Sequence, residues 1–89
     1  MKIRGAAFDD PTELIREVER HHQAHTDRLA HYLAGELRDF TGPEAPATSG
    51  DVGRELQHVV LRGGIAYERM TLAWLDDVLA TLHRIRAAR

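Results

Sequence analysis

The chain has no cysteine, only three prolines, and aromatic side chains at 6% of its residues. Without cysteine there is no disulfide to staple the fold, and neither thiolate chemistry nor a cysteine-based zinc site is open to it. No stretch approaches the ~18 unbroken apolar residues of a membrane span, and nothing has the build of a signal peptide. A soluble, cytoplasmic protein with no membrane partner is the expectation. Charge of one sign is also missing in excess: 12 Lys and Arg oppose 14 Asp and Glu, giving −2. These charges are mixed along both halves instead of forming a basic stripe, so the chain itself is a poor electrostatic match for DNA or RNA. All the basic residues except Lys2 are Arg, which fits a GC-rich bacterial genome.

What is present is a surplus of apolar surface. At 89 residues and 10.0 kDa the chain is one small domain, near the size at which a single core is only marginally self-sufficient. Yet Val59 to Leu82 carries apolar residues on more than one side of any helix it forms, and such a helix must be covered on more than one side. A second copy of the chain is the most economical source of that cover. An obligate homodimer follows as the expectation.

The spacing predicts an all-α fold, an antiparallel hairpin of two long helices completed by dimerisation. Residues 1–9 have no clear period and form a lead-in or interdomain junction, and residues 10–89 form the helical dimerisation domain. Asp10 as N-cap, Pro11 at the first helical position and Glu13 reaching back to the cap predict a helix start. The helix extends over 10–41, roughly 45 Å at 1.5 Å per residue, with a stripe of Leu29, Leu33, Leu37 and Phe40 in its second half. A connection over 42–49 follows, with Pro43 and Pro46 and no large apolar side chain. Thr48 with Asp51, or Ser49 directly, caps a second helix over 50–86. Its end carries Arg84, Arg86 and Arg89, which suit the negative pole of the helix dipole.

Two stripes run along this second helix. One is Leu56, Val60, Gly63, Tyr67, Met70, Trp74 and Val78; the other is Leu61, Ile65, Leu72, Leu75, Leu79 and Leu82. Both have the helical 3/4 spacing, so one can face the first helix and the other a partner chain. Gly63 and Gly64 interrupt the helix at about 1 kcal/mol each relative to Ala. Either the helix kinks or breaks there, or another helix crosses too closely for a side chain.

Candidates for chemistry are few. His21 and His25 lie one turn apart with Glu17 nearby, but zinc needs three or four protein ligands and a second shell. A solvated helical face is the expected setting of these imidazoles; no metal site and no cofactor are assigned, and a pH-responsive interface is a minor alternative. Ser49 and the Asp76-Asp77 pair make no catalytic constellation, so no catalytic residue is assigned and the chain is not read as an enzyme. Tyr67, Met70 and Trp74 form a ladder that serves as core or as the wall of a pocket for a planar apolar ligand.

The run LRGGIAYERMTLAWLDDVLATL, with AFDDPTELIREVERHHQAHTDRLAHYL upstream, resembles the C-terminal domain of PadR-like transcriptional regulators, the virulence activator alpha type. The most specific part is Leu61-Arg62 with Gly64-Ile65 and Tyr67, then Trp74-Leu75-Asp76 and Leu79; Asp9-Asp10-Pro11 with Leu14 is a weaker anchor. The resemblance implies a helical arm that dimerises the regulator and in some members contributes to an effector pocket. It also implies that DNA is read by an N-terminal winged helix-turn-helix domain for which Met1 to Phe8 leave no room. The chain is then either cut at that boundary or a free-standing gene product.

The expected function is therefore dimerisation and effector sensing for a PadR-type regulator, with a small apolar or aromatic molecule as effector and DNA bound only through the absent domain. The residues expected at the dimer interface or effector pocket are Tyr67, Met70, Trp74, Leu75, Val78, Leu79 and Leu82, with Gly63 and Gly64 at a close helix crossing. A free-standing helical protein that heterodimerises with a full-length regulator is the alternative, and a histidine-based metal binder a remote one.

Overall fold

The computed structural model describes residues 10–47 and 50–89. They form an all-α hairpin: α1, Thr12–Glu36, and α2, Val52–Ala87, packed side by side. The molecule measures 58 × 24 × 15 Å, so its thickness admits a single layer of helices.

Pro11, expected at the first helical position, instead occupies the cap position of α1, and Asp10, expected as the cap, lies one residue ahead of it, accepting hydrogen bonds from the backbone N–H and the hydroxyl of Thr12 at 3.1 and 2.7 Å. These bonds, the hydroxyl's first, hold its carboxyl below the usual carboxylate range. Glu13 does not reach back to the cap as the sequence suggested. It pairs with Arg16 at 2.7 Å, because with Asp10 already bonded to Thr12 its nearest partner is the cation one turn on. At the other helix, the Asp51 carboxylate accepts from the Arg54 N–H at 3.1 Å. The capping candidates Thr48 and Ser49 lie outside the described residues.

The two helices meet along seams that step by three and four. On α1 the seam runs Ile15, Val18, His22, His25, Leu29, Tyr32 and Leu33, Glu36; on α2 it runs His58, Leu61, Ile65, Glu68, Leu72, Leu75, Leu79, Leu82, all buried or half-buried. Among the described residues the buried apolar core is small: Ile15, Val18, Ile65 and Leu75, with Pro11 buried ahead of α1. Leu37 does not join it and is 58% exposed. The seam advances three residues from Leu33 to Glu36 instead of four, which leaves Leu37 at its edge.

After Glu36 the chain widens into a single π-helical turn, Leu37–Thr41, closed by the Gly42 N–H donating to the Leu37 carbonyl at 2.7 Å. That turn swings Phe40 onto α2. Its ring stacks on His58 with centroids 4.7 Å apart and planes 3° from parallel. Arg54 lies over the other part of this cluster, 4.9 Å from the Phe40 centroid, and donates to the Asp39 carbonyl. The tip of the hairpin is thereby closed.

α2 is one continuous helix through Gly63 and Gly64, with no break. A Cβ on Gly64 would lie 3.3 Å from the Tyr32 ring, so this glycine lets α1 approach; a Cβ on Gly63 would meet nothing within 4 Å.

Candidate functional site

Of the two apolar stripes on α2, the one with Leu61, Ile65, Leu72, Leu75, Leu79 and Leu82 faces α1. The other faces outward. Among the described residues, every exposed large hydrophobic residue except Leu14 and Leu37 lies on α2: Val52, Leu56, Val59, Val60, Tyr67, Met70, Trp74 and Ile85. At 3.6 residues per turn these side chains fall within an arc of roughly 100°. An isolated exposed leucine is ordinary, but an apolar strip running about six turns, from Val52 to Trp74, is not; beyond Trp74 the same face carries Asp77 and Thr81 before Ile85. Gly63 sits inside this strip.

The opposite face of α2 carries a polar feature that sequence reasoning missed. Glu68 is 2% exposed, and a carboxylate so placed needs partners. It has two, both from α1: His25 Nδ1 lies 2.5 Å from one oxygen, and Arg28 donates to the other at 3.3 Å. Burial acts to raise the Glu68 carboxyl, but the bonds from His25 and then Arg28, with their charges, outweigh it and set the net shift downward. The signal was present in the step of three from Ile65 to Glu68 and four to Leu72, which puts a charged residue on the core stripe.

His25 is not alone. His22 Nε2 meets Asp76 at 2.8 Å, and His58 Nε2 meets Glu36 at 2.8 Å. The sequence placed the histidine run of α1 on a solvated face; instead His22 and His25 are half-buried in the helix seam, because each falls on the same 3/4 step as Val18 and Leu29. His21 alone keeps the expected exposed setting, 3.2 Å from Glu17. Among the described residues no group of three or more possible metal ligands gathers.

The outer strip and the seam meet at a groove of about 450 Å³. α1 lines it with Leu14, Val18, His21 and His25, and α2 with Tyr67, Thr71, Trp74 and Leu75. Glu17 stands at its lip, its carboxyl held below the usual range by a hydrogen bond from Arg20 and by that residue's charge. The groove thus has an aromatic and aliphatic floor and an imidazole-bearing wall. Such a mixture suits a small, mostly apolar molecule with one polar end.

The expected site residues divide between the two faces. Tyr67, Met70 and Trp74 are exposed on the outer strip, Trp74 at 63%. Leu75 is 6% exposed within the hairpin, and Val78, Leu79 and Leu82 are half-buried. Tyr67, Trp74 and Leu75 come together at the groove; Met70, Val78, Leu79 and Leu82 do not line it.

The chain belongs to the family described as virulence activator alpha C-term, which matches residues 1–83. It is also 34% identical over 86 residues to the "probable transcriptional regulator Rv1176c" of Mycobacterium tuberculosis, a match covering 97% of this chain and 43% of that protein. The chain is accordingly a C-terminal domain of the transcriptional-regulator type, and it spans less than half the length of that relative. No solved structure matches it significantly.

Proposed function

We propose that this chain is the dimerisation and effector-sensing domain of a PadR-type transcriptional regulator, with DNA reading assigned to an N-terminal domain. The observation that carries the proposal is the outer strip of α2, bare from Val52 to Trp74 while the opposite stripe is already used by α1. Net charge of −2 without a basic stripe supports placing DNA contacts elsewhere. In this reading two hairpins pair through α2 and set the spacing of the attached DNA-reading domains. An effector in the Trp74 groove, at the margin of the pairing face, then shifts that spacing.

The split between the two faces makes the test specific. Sedimentation at micromolar concentration is expected to give a species of twice 10.0 kDa. Trp74→Asp is expected to give a helical monomer, since Trp74 is 63% exposed and the charge falls on the bare strip and the open groove, not in the buried seam. Leu75→Asp is expected to unfold the chain, since it buries an unpaired charge in the hairpin. A wild-type chain that sediments as a folded monomer would end the dimer reading. Sensing is read separately: Trp74 is the only tryptophan, so titrating a planar apolar dye should change its fluorescence, and a Trp74 signal blind to a panel of such dyes would count against the groove.

A further inference from the structure

The wall of the groove holds an imidazole whose proton is placed by what lies behind it. His25 lines the groove, with its side chain 18% exposed. Behind it stands Glu68 of α2, a carboxylate 2% exposed, with one oxygen 2.5 Å from His25 Nδ1 and the other accepting from Arg28 at 3.3 Å. Burial pushes the Glu68 carboxyl towards its neutral form, but the bonds from His25 and Arg28 outweigh that and keep it ionised at neutral pH. An ionised carboxylate can only accept, so the hydrogen of the short contact sits on His25 Nδ1. Arg28 Nη1 stands 3.5 Å from the same nitrogen, at the limit of a hydrogen bond, and its contact with Glu68 is the shorter one.

In a neutral imidazole one nitrogen donates and the other accepts, and the bond made by the first decides the role of the second. With Nδ1 donating to Glu68, Nε2 is left as an acceptor, and among the described residues it has no hydrogen-bond partner. The rest of the wall leans the same way. Glu17, held ionised by the hydrogen bond and charge of Arg20, accepts only, and His21 Nε2, 3.2 Å from it, is the nitrogen that donates there. The hydroxyls of Tyr67 and Thr71 turn to either role. No lysine or arginine lines the groove, so an anion entering it finds no fixed cation and meets the Glu17 carboxylate at the lip.

The floor, with Tyr67, Trp74 and Leu75, takes a flat apolar body. Resting on the groove reading above, we infer that His25 Nε2 is the polar anchor of this groove and selects an aromatic molecule carrying a neutral O–H or N–H donor over an aromatic carboxylate. A bound molecule without the donor leaves Nε2 desolvated and unpaired. A site built to receive a hydrogen bond rejects such an analogue far more strongly than a purely apolar pocket does. His25 thereby sets specificity, and Glu68 is its positioning residue, fixing which nitrogen carries the hydrogen.

β-Naphthol, its methyl ether and β-naphthoate share one ring system and differ only in the polar end: a donor, an acceptor and an anion. Their binding is measured by calorimetry at about pH 8, above the ordinary range of an imidazole. Naphthol is expected to bind about tenfold or more tighter than either of the others, the effect of one buried hydrogen bond. An ether or a naphthoate that binds as tightly as naphthol would overturn the inference and leave the groove standing; a chain that binds none of the three ends both. His25→Phe keeps a ring in place and removes the acceptor, so naphthol's advantage over the ether should fall towards unity while the ether's own affinity holds. Glu68→Gln gives Nδ1 an amide that can donate as well as accept, which frees the ring to carry its hydrogen on Nε2. The handicap of naphthoate should then shrink several-fold with helix content unchanged. A Glu68→Gln change that weakens all three probes alike, or a naphthol preference that survives His25→Phe, refutes the assignment. Where a variant loses its helix content, the order of the three probes on the wild-type chain decides.

Discussion

Glu68 shows how one residue can both stabilise and condition a thin core. Its two partners come from α1 and its own position from α2, so the cluster ties the helices together midway along the seam. Because its folded pKa lies below the ordinary value of 4.5, the stabilisation is complete above about that pH and is lost as pH falls through the folded value. Glu68→Gln should therefore lower the urea midpoint at pH 7, and the gap from wild type should shrink as pH falls below 4. A gap independent of pH would show that packing, not the carboxylate, holds the site. The adjacent Gly64 makes a second prediction at this scale. With Tyr32 already at contact distance, Gly64→Val must displace the ring and should cost roughly 1–3 kcal/mol by overpacking, measured by denaturant unfolding. Tyr32→Ala in the same background should recover part of the loss.

At the scale of elements, most of the hairpin was legible in the sequence, and the reason is periodicity. The 3/4 stripes of α2 were readable because leucine, isoleucine and tryptophan mark both faces, and structure then assigned one face to α1. The seam of α1 was harder, since its central positions are His22 and His25 instead of aliphatic residues, and a polar residue on a core stripe looks like solvent-facing surface until its partner across the seam is known. The π turn had no periodic signal at all. It depends on Gly42, whose added Cβ would lie 2.3 Å from the Leu37 carbonyl oxygen that accepts the closing hydrogen bond. Gly42→Ala should thus open the turn, release Phe40 from His58, and destabilise the hairpin by roughly 1–3 kcal/mol. Amide exchange confined to the tip would locate the loss; a variant as stable as wild type would show that the turn is dispensable.

At the scale of the whole molecule, a 15 Å thick hairpin whose described residues bury only Pro11, Ile15, Val18, Ile65 and Leu75 of its apolar side chains has little to resist unfolding by itself. Domains below about 70–80 residues often add staples, metals or association; this chain is little longer and a single layer of helices thick, and without cysteine it has no disulfide to draw on. If association supplies the missing burial, folding and pairing are linked, and the melting temperature must rise with protein concentration because the dimer alone benefits from mass action. The expected result is a Tm that climbs steadily over a hundredfold increase in concentration. Trp74→Asp, which keeps the buried residues of the seam in place, should melt lower and at a temperature independent of concentration. The two behaviours together separate stability held in the seam from stability held in the outer strip. A concentration-independent Tm in the wild type, with Trp74→Asp melting at the same temperature, would mean that the hairpin stands alone and that the bare face of α2 serves something other than its own fold.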